Sequence, residues 1–304
     1  MNKKKLFIDG REGTTGLGIV SRIEKRDDVE LIVLDNEVRK DKQARKKAIN
    51  ESDITILCLP DEAAKESVSL CENENTVILD ASTAHRTEDG WVYGLPELDK
   101  DQSKKIKNAK RIAVPGCHAS GFITLVAPLV KNGVLAKDAL LTCHSITGYS
   151  GGGKKMIASY ETDEIPENLT APRQYGLTQS HKHLPEMVHY TGLSNAPVFC
   201  PIVSDFYSGM LVTVPLFKKQ LQGDAGFEDI KNIFKKAYDG SMNIEYTEDF
   251  SEAGFADSNI LSGTDKMQVT VCGNEERMLL MARYDNLGKG ASGAAAQCLD
   301  IILG

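Results

Sequence analysis

The sequence contains no apolar run long enough to cross a bilayer, so we expect no membrane-spanning helix. Its first residues are basic but lack the apolar core of a signal peptide, because Asp9 and Gly10 interrupt the apolar stretch after three residues. The seven cysteines form no CxxC pair and follow no regular spacing, which argues against a disulfide framework or a zinc site. These absences predict a cytoplasmic protein with reduced thiols and no metal.

A large excess of one charge is also missing. The chain has 36 Lys and Arg against 43 Asp and Glu, a formal net charge of -7, and both signs are scattered along it. That balance argues against nucleic acid or an anionic membrane as the main partner. There are no internal repeats and no low-complexity linker. With 304 residues, 41% of them hydrophobic, the chain predicts a globular protein of two domains, or of one domain with a large insertion.

Short apolar runs alternate with helix-prone segments over the first third of the chain. This alternation is typical of a parallel sheet with helices on both faces. The strand-like runs lie at residues 6–8, 30–34, 54–59, 76–80 and 111–114. After about residue 140 the strands become longer and fewer helices separate them, which predicts an α+β domain on a mixed or antiparallel sheet. These later strands lie at residues 140–146, 210–216, 267–271 and 277–283.

A glycine-rich turn, Gly-Arg-Glu-Gly-Thr-Thr-Gly at residues 10–16, joins the first expected strand to the first expected helix. Its spacing is GxxGxxG rather than GxGxxG, and a turn without ligand is the plain alternative. Glycines allow a tight turn and the close approach of a pyrophosphate to a helix N-terminus, so we expect a dinucleotide here. Asp35 fits a ribose contact of NAD, whereas Arg39 and Lys40 fit the 2′-phosphate of NADP, and these residues leave both cofactors open.

Cys117 is the candidate nucleophile. It follows a strand-ending Pro-Gly and opens an apolar, helix-like stretch that runs through Val130. A helix N-terminus lowers the pKa of a thiol and favours the thiolate, which is the nucleophilic form. Four other cysteines fit the role of small buried apolar residues. These are Cys58, Cys143, Cys272 and Cys298.

A candidate acid–base group follows at residues 180–186. His181 and His183 lie two positions apart, with Glu186 beyond them. The two histidines also fit metal ligands, but no further ligand cluster accompanies them. One imidazole fits a proton donor and acceptor beside the thiolate, with Glu186 orienting a partner. Spacing alone does not separate the roles of the two histidines.

Two more segments fit anion binding, although each also fits a plain turn. Arg86 closes the polar segment after the strand at residues 76–80, and arginine grips anions with two parallel hydrogen bonds. A glycine-rich loop at residues 147–153 precedes Lys154 and Lys155. Backbone N–H groups in such a loop can hold a phosphate or a carboxylate.

Together these segments resemble the N-acetyl-γ-glutamyl-phosphate reductases of arginine biosynthesis, in their shorter bacterial form. The match runs over nearly the whole chain. Its most specific motifs lie at residues 10–16, 114–117, 150–154, 181–186 and 285–291. The related aspartate-semialdehyde dehydrogenases typically carry an Asn before the nucleophile, where this chain has Gly116, and this difference favours the first family.

The resemblance implies a Rossmann domain over residues 1–116 and a catalytic and oligomerisation domain over residues 117–285. It also implies a C-terminal helix at about 286–304 that packs back onto the Rossmann domain, NADP as cofactor, and a homodimer or homotetramer. The implied catalytic residues are Cys117, His181, His183 and Glu186. The implied cofactor-binding residues are Gly10, Arg11, Gly13, Thr14, Thr15, Gly16, Arg39, Ser150, Gly151 and Asn286. The implied substrate-binding residues are Ser82, Arg86, Tyr149 and Lys154.

The activity that the resemblance implies is NADPH-dependent reduction of N-acetyl-glutamyl 5-phosphate to the semialdehyde and phosphate, through a thioester on Cys117. Arg86 helps the phosphate to leave, and His181 is narrowly favoured as the acid–base group. One alternative is a sister reductase that acts on an aspartyl or a carrier-bound amino-adipyl phosphate, with differences around residues 149–155 and 171–175. The other alternative is a non-catalytic NADP-binding redox sensor. The presence of both the cysteine and the His-x-His-x-x-Glu pattern argues against it.

Overall fold

The computed structural model describes residues 3–304, so Met1 and Asn2, at the start of the expected first domain, lie outside the described residues. The chain folds into two compact units. Unit 1 runs through Pro96, continues over Asp101–Pro115 and ends with Ala291–Gly304, and unit 2 holds Glu97–Lys100 and Gly116–Gly290.

Unit 1 is a parallel sheet flanked by helices. Its strands are β1 (Lys4–Asp9), β2 (Val29–Ile32), β3 (Ile54–Leu57), β4 (Val77–Asp80), β5 (Val92–Tyr93) and β6 (Arg111–Ala113). Its α-helices are α1 (Thr14–Ile23), α2 (Lys42–Glu51), α3 (Asp61–Leu70), α4 (Gln102–Asn108) and, at the end of the chain, α9 (Gly293–Leu303). The strand order is β2-β1-β3-β4-β6-β5, and every neighbouring pair is parallel.

The apolar sequence of β3 reflects its place in the core of unit 1. All four residues of β3 are buried, as expected for a parallel strand that is covered on both faces. Ala294 and Cys298 of α9 join the same apolar cluster as Leu6 and Ile56. The strand order reverses between β1 and β3, and ligands of open α/β sheets bind at the carboxyl ends of strands at such a point.

Unit 2 is built on a mixed sheet of seven strands. These are β7 (Thr142–Gly148), β8 (Arg173–Gln174), β9 (Val198–Ser204), β10 (Met210–Phe217), β11 (Ile244–Tyr246), β12 (Met267–Gly273) and β13 (Arg277–Tyr284), in the order β11-β12-β13-β10-β7-β9-β8. Its α-helices are α5 (Cys117–Lys131), α6 (Gly153–Tyr160), α7 (Leu184–Thr191) and α8 (Phe227–Tyr238). Short 3-10 turns lie at Pro96–Leu98, Tyr149–Gly152, Glu167–Leu169 and Lys218–Gln220, and a π turn lies at Gly288–Ser292.

The two sheets confirm the predicted fold class, an α/β Rossmann-type unit followed by an α+β unit with a mixed sheet. Several strand ends differ from the expected ones by up to two residues, and two boundaries bear on the expected site. Strand β2 ends at Ile32, so Asp35 lies three residues beyond it, in a turn where the carbonyl of Asp35 accepts the N–H of Arg39. The closing helix starts as the π turn at Gly288–Ser292, with Lys289 buried, and becomes α-helical at Gly293.

Strand β9 was not among the expected strands, although it pairs in parallel with β7 over seven positions. The reason is Pro201 in its middle, since proline cannot donate to a ladder and usually argues against a strand. In a further negative finding, no helix within residues 3–304 is long and apolar enough to cross a membrane.

Candidate active site

The glycine-rich turn of unit 1 has room only for glycine at two positions. Gly10 has φ +85°, and a Cβ atom there would lie 2.4 Å from the carbonyl oxygen of Cys58. A Cβ on Gly16 would lie 2.6 Å from the carbonyl oxygen of Gly10. The turn therefore keeps the backbone after β1 open for the close approach of a ligand.

The start of α1 offers polar groups to that ligand. Gly13 is the N-cap of α1, and no side chain caps this helix end. Backbone N–H groups of the first helical turn can therefore donate hydrogen bonds to an anion. The Oγ1 atom of Thr14 is buried and makes no hydrogen bond to any residue in the 3–304 range. These groups fit the pyrophosphate of a nicotinamide dinucleotide. Arg11 and Thr15 are half-buried nearby in the same turn and helix.

A buried ion pair holds the end of β1 in front of this turn. The carboxylate of Asp9 accepts hydrogen bonds from Arg45 Nε at 3.0 Å and from Ser67 Oγ at 2.7 Å. All three residues are buried. Arg39, predicted to meet a 2′-phosphate, is exposed in the turn between β2 and α2, as is Asp35.

Arg86 and Ser82 share the loop that follows β4. Arg86 is buried, and its guanidinium donates from Nε to the carbonyl of Val114 at 2.9 Å and from a terminal nitrogen to the carbonyl of Ala81 at 3.3 Å. Ser82 donates through Oγ to Asp80 at 2.7 Å, and the same carboxylate lies 2.6 Å from Nδ1 of His85. The loop is thus fixed by Asp80, and Arg86 is joined to the backbone three residues before Cys117 in the sequence.

Cys117 is the first residue of α5, as the sequence predicted. Its side chain is partly exposed, and its carbonyl accepts a hydrogen bond from the hydroxyl of the fully buried Tyr284 at 2.5 Å. The preceding N-cap, Gly116, donates its backbone N–H to the carboxylate of Glu186 on α7 at 3.1 Å. Glu186 is 1% exposed. The backbone at the candidate nucleophile is therefore held by hydrogen bonds on both sides of its Cα atom.

The two predicted histidines lie against a third, His118. The ring centroids of His118 and His181 are 5.7 Å apart, and those of His118 and His183 are 5.6 Å apart. His183 faces Glu186, with 4.0 Å between Nε2 and Oε1. In His181, Nδ1 accepts the backbone N–H of His183 at 3.2 Å, so the neutral ring carries its proton on Nε2.

The loop that carries His181 is fixed by Gln179. Its side-chain amide donates to the carbonyl of Phe199 at 2.7 Å and accepts the N–H of Phe199 at 2.8 Å, as a neighbouring strand would. Gln179 holds a left-handed backbone with φ 55°, which is strained for a residue with a side chain. The ring of Phe199 in turn contacts His181 at 5.1 Å between centroids.

A second polar group of unit 2 joins Ser150 to Asn286. Asn286 donates from Nδ2 to Ser150 Oγ at 3.0 Å and accepts the N–H of Gly209 at 2.8 Å, and both side chains are buried. Gly151 adjoins this pair, since a Cβ there would lie 3.4 Å from Asn286 Nδ2. Tyr149 stacks on Tyr160 with 4.5 Å between ring centroids, whereas Lys154 is exposed on the first turn of α6.

The structure thus brings Cys117, His181, His183 and Glu186 into one part of unit 2, and Ser150 with Asn286 into another. The glycine turn, Arg39, Ser82 and Arg86 lie in unit 1. Among residues 3–304, no three His, Cys, Asp or Glu side chains gather as a metal ion would require.

Sequence reasoning missed His118 and Ser145, and it named Tyr175 only within residues 171–175, where sister reductases are expected to differ. His118 is buried and directly follows Cys117 in the chain, which was a signal for it. Ser145 and Tyr175 hydrogen-bond to the His118 ring from distant positions in the chain, so spacing did not connect them to it.

The comparisons with known proteins identify the family of the chain. A family model described as semialdehyde dehydrogenase, NAD binding domain, matches residues 27–106, and one described as semialdehyde dehydrogenase, dimerisation domain, matches residues 117–286. The chain is 45% identical to N-acetyl-gamma-glutamyl-phosphate reductase 2 of Nostoc sp., over 100% of this chain and 98% of that protein. The chain belongs to the N-acetyl-γ-glutamyl-phosphate reductase family.

Further members of this reductase family show the same extent of similarity. The N-acetyl-gamma-glutamyl-phosphate reductase of Mesorhizobium japonicum is 45% identical over 99% of both chains. Among solved structures, aspartate semialdehyde dehydrogenase II from Vibrio cholerae superposes with a TM-score of 0.74 at 14% identity, over 100% of this chain and 99% of that chain. The enzyme of that name from Francisella tularensis gives 0.74 at 15% identity, over 98% and 99%. These two structures share the fold of the reductase family, and the resemblance found in the motifs is confirmed.

Proposed function

We propose that this chain catalyses the NADPH-dependent reduction of N-acetyl-γ-glutamyl phosphate to N-acetylglutamate semialdehyde and phosphate, in arginine biosynthesis, through a thioester on Cys117. Full-length relatives that carry this reductase name support the reaction. The observation that carries the mechanism is the position of Cys117 at the N-terminus of α5, in the unit that also holds the clustered rings of His118, His181 and His183.

The first half of the reaction uses the thiolate of Cys117. The backbone N–H groups at the start of α5 favour the negative charge on sulfur. The sulfur attacks the acyl carbon, the C–S bond forms, and the C–O bond to phosphate breaks. Arg86 binds the departing phosphate in this proposal, since a guanidinium neutralises the charge that develops on the leaving group.

The second half needs a hydrogen-bond donor at the carbonyl oxygen. The nicotinamide, when bound, supplies the hydride that reduces the thioester carbon. His181 donates a hydrogen bond from Nε2, the nitrogen left protonated by the hydrogen bond at Nδ1, to the oxygen on which negative charge develops. When the tetrahedral adduct collapses, the C=O double bond re-forms, the C–S bond breaks and the thiolate leaves. His183 and Glu186 support this arrangement rather than donate this hydrogen bond, since Glu186 anchors Gly116.

The residues of unit 1 fit a nicotinamide dinucleotide, and we assign NADP. Gly10, Gly13 and Gly16, with Thr14 and Arg11, would hold its pyrophosphate at the start of α1. Arg39 would pair with the 2′-phosphate, since its exposed guanidinium follows β2, where a ribose contact is expected. From the family resemblance we also assign cofactor binding to Ser150, Gly151 and Asn286. From the same resemblance we assign substrate binding to Ser82, Tyr149 and Lys154.

We also assign the two expected domains to residues 1–116 and 117–285, and propose that unit 2 forms a homodimer. The face of its sheet away from α5 and α8 presents Val198, Phe217 and Leu279, which are 56%, 61% and 41% exposed. Leu279 pairs with Pro215 and therefore shares a face with Phe217. Apolar side chains on an open sheet face fit a second copy of the chain, in keeping with the dimerisation domain of the matching family model.

The reverse reaction tests the proposal directly. NADPH formation is followed by absorbance with N-acetylglutamate semialdehyde, phosphate and NADP for the wild type, Cys117→Ala and the control Cys272→Ala. We expect turnover in the wild type and control, none in Cys117→Ala, and NADP binding by all three. Turnover that survives in Cys117→Ala overturns the nucleophile. Turnover with aspartate semialdehyde, and not with N-acetylglutamate semialdehyde, identifies a sister reductase. If no semialdehyde is turned over while NADP still binds, the chain is an NADP-binding sensor.

A further inference from the structure

His118 sits at the centre of a hydrogen-bonded chain of three side chains in unit 2. Its Nδ1 lies 2.7 Å from Ser145 Oγ on β7, and its Nε2 lies 2.7 Å from the hydroxyl of Tyr175. His118 is 3% exposed and Ser145 is 0% exposed. Both ring nitrogens are therefore engaged in the interior of the protein, one residue after the nucleophile.

The imidazole of His118 is neutral at every physiological pH. Burial, with a smaller contribution from His181, lowers the pKa of His118 from 6.5 to about 3. A neutral imidazole has one N–H donor and one acceptor nitrogen, so its two partners must differ in role. One hydroxyl donates to the ring, and the other accepts from it.

The surroundings of Ser145 decide which hydroxyl donates. Within residues 3–304, the bond to His118 is the one hydrogen bond that the Ser145 side chain makes. A buried hydroxyl proton without an acceptor costs free energy, and Ser145 is fully buried whereas Tyr175 is partly exposed, so Ser145 donates to Nδ1. The proton of His118 is then on Nε2 and is donated to the oxygen of Tyr175. The hydroxyl proton of Tyr175 is left to point away from His118.

Tyr175 is close enough to Cys117 for their charges to interact. Burial, and then the charge of Cys117, raises the pKa of Tyr175 above its usual value, so the hydroxyl keeps its proton. Its ring also lies 6.1 Å from that of His181, centroid to centroid. The phenol is thus protonated, and it lies beside the rings of His118 and His181.

We propose that His118 is a positioning residue, which Ser145 holds in the Nε2–H tautomer so that Tyr175 presents its hydroxyl proton to the sulfur or the oxyanion at Cys117. The proposal rests on the proposed function, because it places the reacting atoms at Cys117. In this proposal Tyr175 would contact these atoms, and His118 and Ser145 act through it. A hydrogen bond that is aimed at a developing charge before the reaction starts lowers the barrier without reorganisation.

The tautomer is measured without turnover. In the full-length protein labelled with 15N-histidine, the signals of His118 are assigned as those lost in His118→Gln. We expect a protonated Nε2 and an unprotonated Nδ1, with no change between pH 8 and pH 5, as roughly expected for a group with so low a pKa. A protonated Nδ1, or a ring that gains a proton in that range, overturns the proposal.

Two amide substitutions test the link to catalysis. In His118→Gln the amide nitrogen reaches the position of Nε2 and still donates to Tyr175, whereas in His118→Asn it reaches only the position of Nδ1. We expect His118→Asn to lower kcat about tenfold with KM changed less than about threefold, and His118→Gln to stay within about threefold of the wild type. Thermal unfolding of each variant shows that it is folded.

The decisive variant is Tyr175→Phe. Tyr175→Phe removes the hydroxyl that His118 is proposed to position. Adding His118→Asn to Tyr175→Phe should therefore change kcat by less than about twofold. Losses that multiply in the double variant show that His118 acts independently of Tyr175 and overturn the proposal. Failure of the proposed function looks different: the wild type then shows no turnover of N-acetylglutamate semialdehyde, while the 15N spectrum still decides the tautomer.

Discussion

The carboxylate of Glu186 accepts the backbone N–H of Gly116, seventy positions earlier in the chain, at 3.1 Å. Gly116 is the N-cap of α5, so a side chain of α7 fixes the residue directly before Cys117. The carboxylate is buried, and a buried N–H group needs an acceptor. The sequence motif that ends in Glu186 is therefore joined to Cys117 through the backbone of Gly116.

Replacing this carboxylate should cost both stability and rate. In Glu186→Ala the N–H of Gly116 loses its acceptor, and we expect the free energy of unfolding to fall by about 1–3 kcal/mol and kcat by about tenfold. Glu186→Gln is the matched control, because its amide oxygen still accepts, and it should keep most of the stability. Urea unfolding and steady-state rates measure both. An unchanged urea midpoint in Glu186→Ala would contradict the anchoring role.

The buried His118 should make the protein less stable in acid. The unfolded chain binds a proton at His118 near pH 6.5, but the folded chain binds it only near pH 3. Between these values the unfolded state holds more protons, so the free energy of unfolding falls as pH drops, by roughly 2 kcal/mol from this residue at pH 5.

The variant His118→Gln removes this dependence. Between pH 7.5 and pH 5 its urea midpoint should rise relative to that of the wild type, at equal protein concentration. His189→Gln, at an exposed histidine of α7, is the control and should leave the wild-type dependence unchanged. Parallel curves for His118→Gln and the wild type would show that His118 takes up its proton at the same pH in the folded and the unfolded chain.

The glycine turn offers a contrast between two neighbouring positions. Gly10→Ala places a Cβ 2.4 Å from the carbonyl oxygen of Cys58 on a backbone with φ +85°, and should lower the free energy of unfolding by at least about 2 kcal/mol. In Gly13→Ala the nearest atom is 3.5 Å from the new Cβ, so stability should stay within about 1 kcal/mol of the wild type. Thermal unfolding without cofactor compares them. Equal losses would mean that the turn is not shaped as described.

The choice of cofactor should depend on Arg39. If its guanidinium binds the 2′-phosphate, Arg39→Leu should raise KM for NADP by about 10- to 100-fold and leave KM for NAD nearly unchanged. Lys40→Leu is the control for the neighbouring charge. Initial rates with both cofactors measure the effect. A larger change in Lys40→Leu would move the contact to Lys40, and no change in either would remove it from this turn.

Much of the fold and the candidate nucleophile could be read from local sequence. The run Ile-Thr-Ile-Leu of β3 and the turn between β1 and α1 are set by neighbours in the chain, through apolar continuity and through glycine at positive φ. The position of Cys117 at the start of α5 could also be predicted from local sequence, because Pro-Gly before an apolar stretch marks a helix start. Strand β9 was not visible, because Pro201 is tolerated only through its place in the sheet.

The surroundings of that cysteine depend on the three-dimensional fold. Local sequence was enough to predict the chemical groups, a thiol with two histidines and a glutamate, and the resemblance to the reductase family. It did not reveal that Glu186 anchors Gly116, or that Ser145 and Tyr175 hold the ring of His118. These contacts join residues 27 to 70 positions apart, and a hydrogen bond depends on distance and direction in space, which no spacing in the chain records.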